Sequence, residues 1–152
     1  MTIDDRLKEL GITLETPRPP QANYVSAVTT ANLVFLSGTG PYRPDGSIMT
    51  GKVGVDATLE DGYEAARLTM LSLLANLRLE IGSLDRVKRI VKLLGMVNCA
   101  PDFTRQPEVI NGASDLLVEI FGERGRHARS AVGMAALPRN ITVEIEMIVE
   151  IE

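Results

Sequence analysis

The clearest pattern in this chain lies near its C-terminus, where Val143, Ile145, Met147, Val149 and Ile151 alternate with Glu144, Glu146, Ile148, Glu150 and Glu152. A period of two sends one set to an apolar face and the other to a mostly acidic one, as in a half-buried strand. With the preceding residues from His127 onward it reads as two strands around a Leu137-Pro138 corner. From Thr58 the period becomes 3.6: Leu59, Tyr63, Ala66, Met70, Leu74, Leu77 and Ile81 form one stripe. Glu60 and Asp61 in its first turn and Gly82 just past its end predict a long, core-facing helix. Residues 87–97, VKRIVKLLGMV, are too continuously apolar for a half-exposed strand and predict a central one. Ile90, Leu94 and Met96 are expected on one side of it, with Val91, Leu93 and Val97 on the other. Pro101 and Pro107 bracket the turn into a second helix, EVINGASDLLVEIF, with Ile110, Ala113, Leu117 and Ile120 inward, Asn111 in its first turns and a stop at Gly122.

The N-terminal third is less regular. Residues 3–10 have Ile3, Leu7 and Leu10 at helical spacing and predict a short helix ending at Gly11. Prolines 17, 19 and 20 then mark an extended arm with a packing role. NYVSAV and NLVFLSG read as a hairpin whose strands are separated by Thr29, Thr30 and Ala31. The expected organisation is a helix and Pro-rich arm over residues 1–21 and a single domain over residues 22–152. Its order of strand, strand, helix, strand, helix, strand, strand points to an α+β fold, with two helices on one face of a mixed sheet. The other sheet face is partly apolar and calls for burial by another subunit.

Composition narrows the function. A chain of 152 residues has the length of one ordinary domain. An aromatic share of 4% without Trp implies an aliphatic core. The formal net charge of -4 disfavours a general nucleic-acid or anionic-membrane binder, which needs a broad positive field. Apolar runs fall short of a membrane span or a signal peptide, so the expected setting is cytoplasmic. One Cys and one His cannot build the usual structural zinc sites, and metal chemistry is disfavoured.

The same scarcity removes most catalytic mechanisms. His127, in the loop GERGRHA, reads as solvent-exposed or capping, and Cys99 as a small buried thiol. Gly38 and Gly40 lack the Lys and Ser/Thr of a phosphate-binding loop and read as a strand-end turn. Arg129 stands out at the mouth of a strand, because a guanidinium matches a carboxylate or phosphate in a two-pronged contact. Arg124 and Arg126 precede it as solubilising charge. Lys88, Arg89 and Lys92 are likewise read as surface charge rather than an RNA patch, with too few aromatic residues for base stacking.

Tyr24-Val25, NLVFLSG ending at Gly38, Asn111 in the second helix, ARS, Leu137-Pro138 and VEIEMIV together resemble the Rid (reactive intermediate deaminase) superfamily, also called the YjgF family. The likeness runs from about residue 22 to the end, and the spacing from Arg129 through Leu137-Pro138 to Glu144 is its most specific part. The N-terminal arm and the wording SAVGMAALP are most similar to a longer branch of the superfamily. The resemblance implies a chorismate-mutase-like fold assembled as a homotrimer, with clefts between subunits. It further implies hydrolysis of 2-imino and 2-enamino acids to 2-keto acids and ammonia, without metal or cofactor. Arg129 would hold the substrate carboxylate and Glu144 would position or activate water, while Tyr24, Ser37, Gly38 and Asn111 line the pocket. A non-catalytic trimer that binds a small carboxylate is the alternative, and the RNA binding or cleavage suggested by the family's endoribonuclease label ranks below it. Ala131, where well-known deaminases commonly have Cys, and Thr39, where Gln is frequent, depart from the pattern and bear on pocket shape.

Overall fold

Alternation, helical stripes and turn residues resolve into five strands and three helices in a computed structural model that describes residues 1–152. In chain order they are α1 (Ile3–Glu9), β1 (Ala27–Thr30), β2 (Leu33–Thr39), α2 (Leu59–Ile81), β3 (Val87–Asn98), α3 (Gln106–Phe121), β4 (Ala128–Met134) and β5 (Val143–Ile151). The sheet order is β1-β2-β5-β3-β4. Only β3 and β4 run parallel, joined by α3 as crossover, so the sheet is mixed as expected. β5 is the middle strand, and β3 stands one place off centre. No helix is long and apolar enough to cross a membrane.

Each helix begins and ends where its sequence supplies the means. Thr58 caps α2 by accepting from the Asp61 amide at 3.0 Å, while its own amide donates to Asp61 at 2.9 Å. Gly82, at φ 85°, ends that helix in a conformation costly for any residue with a Cβ. Thr2 and Asp5 make the same reciprocal cap on α1, and α3 starts with Pro107 in its first turn. Both long helices lie on one sheet face, where Val143, Ile145 and Val149 of β5 and Met70, Leu73, Leu74 and Leu117 of the helices are completely buried. Each large side chain so buried contributes about 1.5–3 kcal/mol.

Two details correct the sequence reading. The hairpin turn is Ala31-Asn32, with Thr30 paired to Leu33; Thr29 and Thr30 belong to β1, and Ala31 adopts the positive φ of 51° that the tight turn requires. In β3 the register shifts between Ile90 and Lys92, so the alternation slips by one. Ile90, Leu93 and Val97 consequently all face the helices, while Leu94 and Met96 lie on the open face. Strict period-two counting placed Ile90 with Leu94, and the bulge is what separates them.

The open face carries a row across the sheet, Val28–Phe35–Ile148–Lys92. Val28 and Phe35 in it are 54% and 42% exposed, and Val132 on β4 is 40% exposed. Such a contiguous apolar surface on a sheet is the kind that another polypeptide covers.

Candidate active site

Glu144 follows Val143 at the start of β5 and faces away from the helices, paired with Met96. Beside it β2 is irregular between Leu36 and Thr39, and Gly38 in that irregularity leaves room for the carboxylate. A Cβ at Gly38 would lie 3.1 Å from both Cδ and Oε2 of Glu144. The carboxyl is half-buried; burial first, and Glu146 two residues along the same face second, push its pKa up. Glu146 itself is exposed, and Glu150 is tied to Lys88 at 3.0 Å. Of the alternating glutamates, Glu144 is the one that shares a cavity with Tyr24, Ser37 and Gly38.

That cavity, of about 260 Å³, is lined by Glu144, Gly38, Ser37 and Tyr24 together with Arg139 and the Pro-rich arm. The Ser37 hydroxyl donates to the Val25 carbonyl at 2.7 Å, and the Ser37 amide donates to Ser26 at 2.9 Å. Ser37 thereby fastens the segment that carries Tyr24. The arm, read from sequence as packing, is also a wall of this cavity.

Arg129 is placed differently. It pairs with Leu93 on the helix-facing side of β4, an edge strand, and its Nη1 donates to Asn111 Oδ1 at 2.9 Å and Ser114 Oγ at 3.1 Å. Nη2 lies 3.4 Å from the Pro107 carbonyl. His127 Nδ1 is 2.6 Å from the Gly125 carbonyl, which can only accept, so Nδ1 bears the proton. Nε2, 2.9 Å from Ser114 Oγ, then accepts from the serine, whose oxygen accepts from Arg129. Burial lowers the His127 pKa, and the Arg129 charge adds to that against the opposing Gly125 bond, which suits the neutral ring. His127 is thus a half-buried support for Arg129 rather than a solvent-exposed or capping residue. Ser114 and His127 were missed in the sequence, although Ser114 lies three residues after Asn111 on α3 and His127 two residues before Arg129.

Within one chain, then, Asn111 and Arg129 meet, and Tyr24, Ser37, Gly38 and Glu144 share a cavity, but Arg129 and Glu144 point to opposite sides of the sheet. Counting strands and residues separates Arg129 from Glu144 by about 10 Å across the sheet and about 10 Å along it.

The corner between β4 and β5 adds a further arginine. Arg139 and Asn140 both adopt left-handed backbone, at φ 54° and 59°, which costs on the order of 1 kcal/mol or more per residue. A polar network anchored on buried Asn98 holds them there. Lys52 Nζ donates to Asn98 Oδ1 at 2.7 Å and the Ala135 carbonyl at 2.6 Å, and Asn98 Nδ2 donates to Asn140 Oδ1 at 2.9 Å. Asn98 is completely buried. Arg139 is thereby turned toward the arm, where it donates to Gln21.

The raised pKa of Glu144 has a measurable consequence for stability. A folded-state value above the unfolded one means that the folded chain retains the proton, so this contribution is present below the unfolded pKa and lost as pH rises through the folded pKa. Glu144→Gln is expected to raise Tm at neutral pH by about 1–2 °C, a modest gain because the group is half-exposed. Thermal melts should show the difference shrinking toward zero at pH values below about 4.

A mixed five-stranded sheet backed on one face by two long helices is an α+β arrangement, and the family match identifies it as chorismate-mutase-like. The chain belongs to the family described as "YjgF/chorismate_mutase-like, putative endoribonuclease", whose model matches residues 4–151. It is similar to protein TCP17 of Trypanosoma cruzi, 45% identical over 146 residues that cover 95% of this chain and 91% of that one. Among solved structures it is similar to Atu1372 of Agrobacterium tumefaciens, a protein of unknown function, with 45% identity, a TM-score of 0.91 and coverage of 99% and 94%. A protein of Shewanella oneidensis described as a "putative endoribonuclease" matches with 34% identity, a TM-score of 0.95 and coverage of 99% and 100%.

Proposed function

We propose that this protein hydrolyses 2-imino and 2-enamino acids to 2-keto acids and ammonia, in clefts formed between copies of the chain. The observation that carries this reading is the division of the site: Arg129 is held ready on an edge strand facing the helices, while Glu144 faces the other way, beside a cavity walled by the arm and by Leu71, Ser72 and Ala75 of α2. A homotrimer that buries the apolar row of Val28, Phe35 and Ile148 would bring the Arg129 edge of one copy to the Glu144 cavity of the next.

The chemistry requires little beyond these two groups. The guanidinium binds the substrate carboxylate through paired hydrogen bonds and fixes C2 relative to the cavity. With the imine protonated at nitrogen, Glu144 as carboxylate takes a proton from water as the water oxygen bonds to the iminium carbon, and the C=N electron pair moves to nitrogen to leave a neutral amine. Glu144, now protonated, returns the proton to that nitrogen; the C–N bond breaks, ammonia leaves and the oxygen closes to the ketone, its own proton passing to solvent. A carboxyl pKa raised above its ordinary value by burial suits an exchange in both directions. An enamino acid enters the same route after protonation at C3.

An assay coupled to a source of 2-aminoacrylate tests this. Wild-type protein should accelerate keto-acid formation, Arg129→Ala should lower kcat/KM by about 100-fold or more, mainly through KM, and Glu144→Gln should lower kcat by about 100-fold while carboxylate binding persists. Failure of the wild type to accelerate any of several amino-acid-derived imines, with Arg129-dependent binding of a keto acid, would instead establish a non-catalytic carboxylate binder. An RNA reading finds little support on the surface: Lys88 is paired with Glu150, Arg126 with Glu123, and Arg124 donates to the Val87 carbonyl at 2.8 Å.

A further inference from the structure

The cavity beside Glu144 contains more positive charge than one substrate carboxylate needs if Arg129 binds that carboxylate. Arg18, Arg43 and Arg139 line it, against Glu15 and Glu144. None of the three arginines takes part in the six ion pairs of the chain. Arg43 is engaged with Ser47 at 3.3 Å, and Arg139 with Gln21 of the arm that also carries Arg18, so Arg139 and Arg18 are the two that the arm brings together.

Both are held by features whose main effect is to place a guanidinium. The guanidinium carbon of Arg18 stands over the Tyr42 ring, 4.5 Å from its centroid, which holds the charge in place. Gly46, at φ 91°, lets it approach: a Cβ there would stand 3.3 Å from Arg18 Nη2. Arg139 is turned by the left-handed corner that the Lys52–Asn98–Asn140 network secures, and its bond to Gln21 joins that corner to the arm. The arm thus brings Arg18 and Gln21 to the same cavity that Glu144 enters from the sheet.

We infer that the cavity binds a second anionic group of the substrate, with Arg139 and Arg18 as its anchors, so that the preferred substrates are dicarboxylic imino or enamino acids. This rests on the deamination reading for the role of Glu144. Arg129 of a neighbouring copy takes the carboxylate next to the reacting carbon, and the arm arginines take the distal one. Two fixed cations at the two ends discriminate against a substrate with an apolar side chain, which would leave desolvated guanidinium groups unpaired.

Amino-acid oxidases supply the probes, generating the imines of aspartate and glutamate for comparison with those of leucine and alanine. The wild type should show kcat/KM about tenfold or more higher for the dicarboxylic pair. Arg139→Asn, chosen because Asn tolerates left-handed backbone, and separately Arg18→Gln, should each reduce that ratio by about tenfold. Calorimetry with 2-oxoglutarate against 2-oxobutyrate reads binding without turnover and should show the same preference and the same losses. If imines are hydrolysed with no dicarboxylic preference, or if both variants weaken the two classes equally, the inference is overturned while the deaminase reading stands. If no imine is hydrolysed but 2-oxoglutarate binds preferentially and depends on Arg139, the second-anion site stands and deamination falls. Equal binding of the two keto acids overturns the inference with or without turnover.

Discussion

Oligomers reassembled from equal amounts of Arg129→Ala and Glu144→Gln chains are expected to recover about one quarter of wild-type activity, although each variant alone is nearly inactive. The expectation follows from the separation of the two residues. In one chain Arg129 pairs with Leu93 on the helix-facing side, and Glu144 pairs with Met96 on the open side. A site formed between copies takes its arginine from one chain and its carboxylate from the next. With random mixing about half of the donors are intact for each residue, so about one site in four holds both. A site contained within one chain would have lost one residue in every copy, and mixing would recover nothing. Denaturation and joint refolding of the two variants, followed by the imine assay, decides between these outcomes. Co-refolding either variant with itself is the control.

Gly112→Ala should destabilise the fold by about 3 kcal/mol or more, lowering Tm by about 6–12 °C. Gly112 sits in α3 where that helix crosses α2, and a Cβ there would come within 2.0 Å of the Tyr63 carbonyl oxygen and 3.2 Å of the Arg67 amide nitrogen. Alanine brings a gain of about 1 kcal/mol in helix propensity, but that cannot offset backbone meeting backbone. The helices must move apart, loosening contacts among Ala66, Met70, Ala113 and Leu117, all completely buried. Gly62→Ala is the informative comparison. Its Cβ would meet the side-chain ends of Val109 at 3.0 Å and Val53 at 3.2 Å, which a small rotation relieves. Thermal melts should therefore show a much smaller change at Gly62 than at Gly112.

Much of the fold was legible because each element is coded locally. The 3.6 period and the Thr58–Asp61 cap define α2, the two-residue alternation defines β5, and Gly122 at φ 61° stops α3. What escaped was non-local or broke the period. The slip between Ile90 and Lys92 has no composition signal, since every residue around it is compatible with a strand. His127 read as solvent-exposed or capping because nothing in GERGRHA reveals that Ser114, 13 residues earlier, faces its ring.

The candidate site divides in the same way. Arg129 stood out by residue type and position, whereas the roles of Glu144, Gly38, Ser37, Tyr24 and Asn111 were what the resemblance to the Rid superfamily implied. Spacing along the chain cannot tell which sheet face each residue occupies once bulges intervene, nor which strand becomes an edge. That the Pro-rich arm walls the Glu144 cavity, that Arg139 is turned into it by two left-handed residues, and that Arg129 points to the other face were decided by the tertiary structure alone. The physical reason is one of range. Periodicity, caps and turn chemistry act over a few residues and can be read from a sequence, whereas register, strand order and cavity walls arise from contacts between segments tens of residues apart.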